Sequence, residues 1–269
     1  IYNASSVISA INDNSNDQTD TLFRNVFRAS AIVSSESDGL FDITIGPLVK
    51  AWGFGPDAMK RFDPSMLDSL LALVGMDKVR LDGNRIIKAD PDMFIDVNAI
   101  AQGYTVDLVA DLLTSRGISQ CLVEVGGEVR TVGDKNGKGW MVGIDTPADG
   151  NYIPGAEIQA RAKLDDRALA TSGNYRKFYV ENGIKYSHTI DPRTGYPVRH
   201  MLLSATIIAP TCTVADAWAT ACMVGGKDAA IAFIEKYGFL EGYLIYSDDK
   251  GVMKSWTSEG IRDLIFSGE

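Results

Sequence analysis

Segments with the pattern of short strands alternate with helical patterns along most of this chain. Strand-like runs are joined by turn residues at Asp82-Gly83 and Asn182-Gly183, an arrangement typical of antiparallel hairpins. One helical pattern repeats at spacings close to 3.6 residues, at Leu22, Val26, Phe27, Ala31 and Val33. The alternation predicts an α+β or mixed α/β fold, with helices packed on mostly antiparallel sheets.

Glycine and proline residues set the limits of several predicted elements. Residues 40–56 contain Gly46-Pro47 and a second Gly/Pro cluster, which predict a constrained loop wall rather than a regular element. A helix is predicted over residues 64–76, with Pro64 in its first turn and Gly75 at its end.

Two adjacent glycines, Gly126 and Gly127, interrupt the strand predicted over residues 121–132. A β-bulge and a glycine-lined ligand edge both explain this pattern, and the sequence does not decide between them. A charged stretch with Gly and Pro, residues 147–155, is the best candidate for an internal linker.

The segment that starts at Met93 predicts a strand leading directly into a helix. The strand covers Met93 to Val97, and Asn98 is placed to cap the helix. We expect the apolar face of this helix to carry Ile100, Ala101, Tyr104, Leu108, Val109, Leu112 and Leu113. Free backbone N–H groups make the helix start a candidate anion site. Because Gly103 costs helix stability relative to alanine, we expect close packing against its backbone.

The charge balance limits the classes of partner. The chain has 269 residues and a formal net charge of −9, with no basic stripe to neutralise phosphates, which argues against a nucleic-acid partner. An acidic protein that binds an anionic ligand needs local devices, such as a metal ion, helix N-termini or backbone N–H groups.

The three cysteines, Cys121, Cys212 and Cys222, form no C-x-x-C pair and predict no disulfide framework. No apolar run approaches the length of a membrane span, and no signal-peptide pattern is present. Because the sequence opens at Ile1 within a segment predicted to be structured, we expect a trimmed or processed form whose upstream sequence could carry a targeting signal.

A turn-rich segment, YSHTIDPRTGYPV (residues 186–198), contains His188, one of two histidines in the chain. Asp191-Pro192 and Thr194-Gly195 predict a tight bend after a short strand. Histidine titrates near neutral pH, so His188 in a rigid loop is a candidate for proton transfer. Asp191 could orient the imidazole, although its spacing fits a surface turn equally well.

Asp216 and Thr220 stand four residues apart in a predicted helix and therefore share one face. A carboxylate and a hydroxyl are hard oxygen ligands suited to Mg²⁺, although an acidic residue near a helix start could instead complement the helix dipole. At the end of another predicted strand, the hydroxyls of Thr171 and Ser172 could hold phosphate oxygens.

Taken together, these segments resemble the ApbE family of flavin transferases. The matching stretches, in the family's order, are FDITIGPLVKAWGFGP (41–56), the D-x-x-x-I-x-x-G-Y-x-x-D pattern from Asp96 to Asp107, VEVGGEVRTVG (123–133), ATSGNYRKFY (170–179), YSHTIDPRTGYPV (186–198) and APTCTVADAWATACMV (209–224). The resemblance implies a single compact ApbE-like (T-fold-like) α+β domain over residues 1–269, whose first strand is expected to precede Ile1.

The resemblance also implies a reaction. Members bind FAD, use Mg²⁺ at the pyrophosphate, and transfer FMN to a threonine hydroxyl of an acceptor flavoprotein, releasing AMP. By matching positions, the metal ligands would be Asp216, Thr220 and the backbone carbonyl of Ala99, and His188 would be the base. FAD contacts would come from Tyr2, Leu40, Phe41, Asp42, Asp96, Gln102 and the backbone at Ile190, with Thr171 and Ser172 near the pyrophosphate.

Two other functions stay open at the same site. One is a hydrolase that splits FAD into FMN and AMP with water as the acceptor, and the other is a non-catalytic FAD-binding protein. No G-x-G-x-x-G follows a predicted strand, which argues against a flavin oxidoreductase. The resemblance further implies a lipoprotein of the bacterial periplasm or cell envelope, with membrane contact only through an N-terminal lipid anchor absent from this chain.

Overall fold

The structure, a computed structural model, describes residues 3, 5–54, 62–148, 153, 155–174, 178–181 and 184–268. The chain forms two compact units, Ile1–Ala99 with His188–Val198, and Ile100–Ser187 with Arg199–Glu269. The extent of one domain over residues 1–269 stays a prediction.

The cysteines are free thiols, as predicted. In the described ranges, no helix combines the length and apolar character needed to cross a lipid bilayer.

In the part of the chain that the structure describes, the first unit contains helices and an antiparallel hairpin. Its elements are α1 (Val7–Asn12), α2 (Thr21–Glu36), α3 (Gly46–Ala51), α4 (Leu67–Ala72), β1 (Val79–Asp82) and β2 (Arg85–Lys88). Asp20 caps α2, because its carboxylate accepts a hydrogen bond of 2.7 Å from the backbone N–H of Phe23. Helix α2 and the hairpin confirm the sequence predictions, although Leu22 is exposed and Phe23 is buried in its place.

Two predictions for this unit need correction. Residues 46–51 form a helix rather than a loop, because Pro47 lies in the first turn, where its missing N–H costs nothing. The helix predicted over residues 64–76 is a 3₁₀ turn at Pro64–Met66 followed by α4, and it ends at Ala72, before Gly75.

The predicted strand over residues 93–97 is also wrong. Among the described residues, this segment makes only an isolated bridge between Ile45 and Phe94. The backbone N–H of Asp96 does donate a hydrogen bond of 2.7 Å to the carbonyl of Ile43, so the segment is extended and tied to residues 43–45 without forming a ladder.

Among its described residues, the second unit combines the helices α5 and α6 with antiparallel sheets. Its elements are α5 (Ala101–Ser115), β3 (Cys121–Val125), β4 (Glu128–Val132), β5 (Trp140–Asp145), β6 (Ile158–Leu164), β7 (Ala168–Gly173), β8 (Phe178–Glu181), β9 (Ile184–Ser187), β10 (Leu202–Ala209), α6 (Cys212–Lys236), β11 (Glu241–Ser247), β12 (Met253–Thr257) and β13 (Ile265–Ser267). The described strands form a six-stranded sheet in the order β12-β11-β10-β7-β4-β3, a three-stranded sheet β13-β6-β5 and the pair β8-β9. The named strand pairs are antiparallel, as predicted.

Alternation along β4 and β7 decides which side chains reach the helices. Val129 and Leu169 pack into the core shared with the three-stranded sheet. Ala168, one residue before Leu169, packs instead with Val106 and Ala110 of α5. Since successive side chains point to opposite faces of a sheet, Glu128, Arg130 and Ser172 lie on the helix face and Thr171 lies on the other.

Helix α5 begins later and buries another face than predicted. Its N-cap residue is Ile100, which makes no side-chain cap, so the predicted cap at Asn98 is wrong. The buried residues within it are Gly103, Val106, Asp107 and Ala110. Of the predicted apolar face, Leu108, Val109 and Leu112 are exposed. The small residues allow a close approach to α6, which decides the orientation of the helix.

The two glycines at 126 and 127 form the turn of the β3–β4 hairpin, with φ of +67° and +108°. Of the two alternatives that the sequence left open, the β-bulge is therefore wrong, and both residues need the left-handed backbone that glycine adopts most readily. The linker predicted over residues 147–155 lies largely outside the described residues.

Candidate functional site

Helix α6 carries Asp216 and Thr220 one turn apart. Asp216 is 6% exposed, and its Oδ2 accepts a hydrogen bond of 2.9 Å from the backbone N–H of Gly103. The Thr220 hydroxyl lies 3.4 Å from the hydroxyl of Ser172 on β7. The first turn of α6 contains no acidic residue, so Asp216 does not complement the helix dipole from that turn. Asp216 and Thr220 thus share one face of α6, and Ser172 of β7 lies beside Thr220.

The environment of Asp216 disfavours its charge. Burial raises the pKa of the Asp216 carboxyl to about 6, and the hydrogen bond from Gly103 opposes that shift. A buried carboxylate with one donor is costly unless a cation or a proton compensates it.

Gly103 lets the backbones of α5 and α6 approach. A Cβ on this residue would lie 2.3 Å from the carbonyl oxygen of Cys212 and 2.8 Å from the Cβ of Asp216. The expected close packing against Gly103 is confirmed, and its partner is the start of α6.

Asp107 anchors the start of α6 from the neighbouring helix. Its Oδ1 accepts from the backbone N–H of Cys212 at 2.9 Å, and its Oδ2 accepts from the N–H and hydroxyl of Thr213 at 2.8 and 2.5 Å. Arg130 on β4 donates to the same carboxylate at 3.0 Å. In the sequence, Asp107 stood out only as the end of the Asp96–Asp107 pattern, and its contact with the start of α6 was not predicted. A carboxylate between the apolar residues Val106 and Leu108 was the available signal.

Glu128 is a second residue that the sequence analysis missed. It is 8% exposed, and within the described residues its Oε2 has no hydrogen-bond partner. Burial and, to a smaller extent, the charge of Asp216 raise the pKa of the Glu128 carboxyl to about 8. The two glycines before Glu128 form a hairpin turn, so β4 starts at Glu128. Because Val129 faces the three-stranded sheet, its neighbour Glu128 faces the helices on the other side of the sheet.

The other residues of the second unit that were predicted to contact FAD do not all lie on the same face of the sheet. Gln102, at the start of α5, lies over the β3–β4 turn, because its Nε2 occupies the space that a Cβ on Gly126 would need. The Thr171 hydroxyl lies 2.8 Å from that of Thr206 on the opposite face of the sheet from Ser172. The hydroxyls of Thr171 and Ser172 are therefore not brought together.

His188 belongs to the first unit, where its ring meets Phe54 edge-on with 6.4 Å between centroids. The bend after it is well determined, since the N–H groups of Thr194 and Gly195 donate to the carbonyl of Asp191. The Asp191 carboxylate accepts from the guanidinium of Arg193 at 2.9 and 3.0 Å. Asp191 therefore fits the turn that the sequence allowed.

Of the predicted FAD contacts near residue 40, Leu40 and Phe41 are buried and Asp42 is partly buried. Leu40 and Phe41 are 4% and 1% exposed. The Asp42 carboxylate accepts from the N–H and hydroxyl of Thr44 at 2.7 and 2.6 Å, and from the N–H of Met76 at 3.1 Å. Burial raises the pKa of Asp42, although these hydrogen bonds oppose it.

The remaining predicted residues of the first unit lie on irregular segments. Asp96 is buried and its Oδ1 accepts from the N–H of Asn98 at 2.9 Å. Ile190 is buried and forms an isolated bridge with Pro197. Ala99 is partly buried within the turn at residues 98–100. Tyr2 lies outside the described residues.

The donors around Asp216 suit a hard divalent cation. Carboxylate and hydroxyl oxygens are the ligands that Mg²⁺ prefers, completed by water, backbone carbonyls and substrate phosphates. In the part of the chain that the structure describes, no group of three or more His, Cys, Asp or Glu side chains is placed to hold a metal ion. A cation here would therefore depend on few carboxylates.

A model of the ApbE family matches residues 1–244. This chain belongs to the ApbE family. It is 35% identical over 235 residues to the FAD:protein FMN transferase of Vibrio cholerae, an alignment that covers 86% of this chain and 68% of the relative. It is also 35% identical over 268 residues to the enzyme of the same name from Haemophilus influenzae, covering 96% of this chain and 76% of the relative.

Solved ApbE structures share the fold. Flavin transferase ApbE from Vibrio cholerae has a TM-score of 0.84 at 32% identity, covering 98% of this chain and 84% of that chain. The apo form of Pseudomonas stutzeri flavinyl transferase ApbE has a TM-score of 0.84 at 30% identity, covering 100% and 83%. The predicted ApbE-like α+β fold, with helices on antiparallel sheets, is confirmed.

Proposed function

We propose that this ApbE-family chain transfers the FMN half of FAD to a threonine hydroxyl of an acceptor flavoprotein, with Mg²⁺ at the pyrophosphate and AMP as the leaving group. The names of the Vibrio and Haemophilus relatives support FMN transfer from FAD to protein. The observation that carries the Mg²⁺ part is the buried Asp216 carboxylate one helical turn from Thr220, whose hydroxyl lies beside that of Ser172.

The transfer needs one base and one leaving group. The threonine oxygen forms a bond to the phosphorus of the FMN half, and the bond from that phosphorus to the bridging oxygen breaks. AMP leaves with the bridging oxygen, and the hydroxyl proton passes to a ring nitrogen of His188. A threonine hydroxyl is a poor nucleophile, and a positioned base accelerates such steps by roughly 10²–10⁴-fold.

The carboxylate of Asp216, the hydroxyl of Thr220 and the carbonyl of Ala99 would hold Mg²⁺. When bound, the cation neutralises charge on the pyrophosphate and on the departing AMP. Tyr2, Asp42, Asp96, Gln102 and Ile190 would contact FAD. Because Leu40 and Phe41 are buried, their contribution would come from the backbone.

The experiment is incubation with FAD, Mg²⁺ and an acceptor flavoprotein, followed by intact mass measurement. We expect the acceptor to gain the mass of FMN, and we expect EDTA and His188→Ala to abolish the gain. His200→Ala is the matched control, since the His200 ring contacts the carbonyl of Met223 in the second unit. Release of FMN and AMP without a mass gain would instead establish the hydrolase. FAD bound without either product would establish a flavin-binding protein.

A location in the bacterial periplasm or cell envelope, through an N-terminal lipid anchor, stays a prediction from the family. Fractionation of cells that produce the protein tests it, and recovery in the cytoplasmic fraction would contradict it.

A further inference from the structure

Glu128 presents a buried carboxylate oxygen that the proposed reaction does not yet use. The residue is the first of β4, directly after the β3–β4 turn, and it faces α5 and α6. It is 8% exposed, and its Oε2 has no hydrogen-bond partner within the described residues. Buried polar atoms in native proteins nearly always have a partner, so an orphaned carboxylate oxygen points to a group that binds there.

The surroundings of Glu128 add negative rather than positive charge. Asp216 lies near enough for its charge to act on Glu128. The cation on the same face of β4, Arg130, pairs at 3.0 Å with both Asp107 and Asp111. Two buried carboxylates are therefore not compensated by Arg130, and removing charges from water without a counter-ion costs several kcal/mol or more.

We propose that Glu128 supplies a second carboxylate to the divalent cation held by Asp216 and Thr220. This inference rests on the proposed Mg²⁺ site and adds a ligand to it. Hard oxygen donors from β4 and α6 would then surround the cation, and its charge would balance both buried carboxylates. Gln102 Nε2 packs against Gly126, two residues before Glu128.

Cation binding without FAD tests the inference separately from catalysis. Mn²⁺ binding is measured by electron paramagnetic resonance and Mg²⁺ by competition, for wild type, Glu128→Gln, Asp216→Asn and Glu124→Gln. We expect Glu128→Gln to weaken Mn²⁺ and Mg²⁺ binding by at least about tenfold, as loss of a metal-site partner typically does. Glu124→Gln is the matched control: Glu124 is exposed on β3 and its Oε1 accepts from the N–H of Gly127, which an amide oxygen can replace.

The outcomes separate the two proposals. Loss of affinity in Asp216→Asn with unchanged affinity in Glu128→Gln would overturn the role of Glu128 and leave the proposed Mg²⁺ site intact. A wild type that binds neither cation would overturn both. Circular dichroism and thermal unfolding without metal check folding, and we expect Glu128→Gln to be about as stable as wild type, because within the described residues Glu128 Oε2 makes no hydrogen bond that the amide would lose. If the amide variant does not fold, Glu128→Met provides the same test with an apolar side chain of similar length.

Discussion

The backbone N–H of Gly103 in α5 donates a hydrogen bond of 2.9 Å to Oδ2 of Asp216 in α6. The contact requires a residue without a side chain, because a Cβ at 103 would lie 2.3 Å from the carbonyl oxygen of Cys212. That oxygen is a backbone atom and cannot rotate away. Gly103 therefore fixes both the spacing of the two helices and the position of the Asp216 carboxylate.

Gly103→Ala tests this relationship. We expect the free energy of unfolding to fall by about 1–3 kcal/mol through overpacking, despite the better helix propensity of alanine, and Mg²⁺ affinity to fall as Asp216 moves. Urea unfolding and Mn²⁺ binding measure the two effects. Gly238→Ala is the control, since a Cβ there meets nothing within 4 Å. Wild-type stability in Gly103→Ala would contradict the argument.

Asp107 provides a second test of how α6 is positioned. Asp107→Ala removes the acceptor for two backbone N–H groups at the start of α6 and leaves Arg130 without its buried partner. We expect a loss of about 3 kcal/mol in the free energy of unfolding, typical of a broken buried pair. Asp111 also pairs with Arg130 at 3.0 Å but is 66% exposed, so Asp111→Ala should cost no more than about 1 kcal/mol. Equal losses in the two variants would refute the anchoring role.

The indole of Trp52 links α3 to the loop that follows His188. Its Nε1 donates a hydrogen bond of 2.7 Å to the carbonyl of Gly195. Trp52→Phe removes this bond, and we expect a loss of about 1–2 kcal/mol in stability and a slower FMN transfer as the loop shifts. Trp140 in the second unit makes a similar bond of 3.0 Å to Gly133, so Trp140→Phe should cost similar stability and keep the transfer rate. The comparison fails if both variants transfer FMN at the wild-type rate.

The parts of the fold that the sequence predicts correctly are those determined by patterns within a few neighbouring residues. The spacing of apolar residues from Leu22 to Val33 and the turn at Asp82-Gly83 are local patterns, so α2 and the first hairpin are predicted correctly. The face of α5 is not predicted, because Gly103 and Ala110 are buried by their fit to neighbouring elements while the larger Leu112 is exposed. Hydrophobic periodicity alone does not predict which small residues pack against a neighbouring element.

In the candidate site too, residues related by local spacing are predicted and residues brought together by the fold are not. Asp216 and Thr220 are predicted from a four-residue spacing, which a helix converts directly into a shared face. Glu128 is missed because two glycines suit a bulge as well as a turn, and only the turn fixes the alternation that points Glu128 towards the helices. The capping of α6 by Asp107 joins residues more than one hundred positions apart, for which a single sequence contains no signal.

Asp42 and Asp63 in the first unit should give opposite dependences of stability on pH. Burial raises the pKa of Asp42 above its ordinary value of 3.8, whereas the N–H and hydroxyl of Ser65 lower the pKa of the exposed Asp63. As the pH rises past 3.8, the unfolded chain loses the Asp42 proton before the folded chain does, so this group lowers stability until its raised pKa is passed. Asp63 contributes stability above 3.8 that is lost as the pH falls through its lowered pKa.

The free energy of unfolding of wild type minus that of Asp42→Asn should therefore fall with rising pH, and the corresponding difference for Asp63→Asn should rise. Urea unfolding in small pH steps across the acid range measures both differences, and slopes of the same sign would contradict the assignment of either environment.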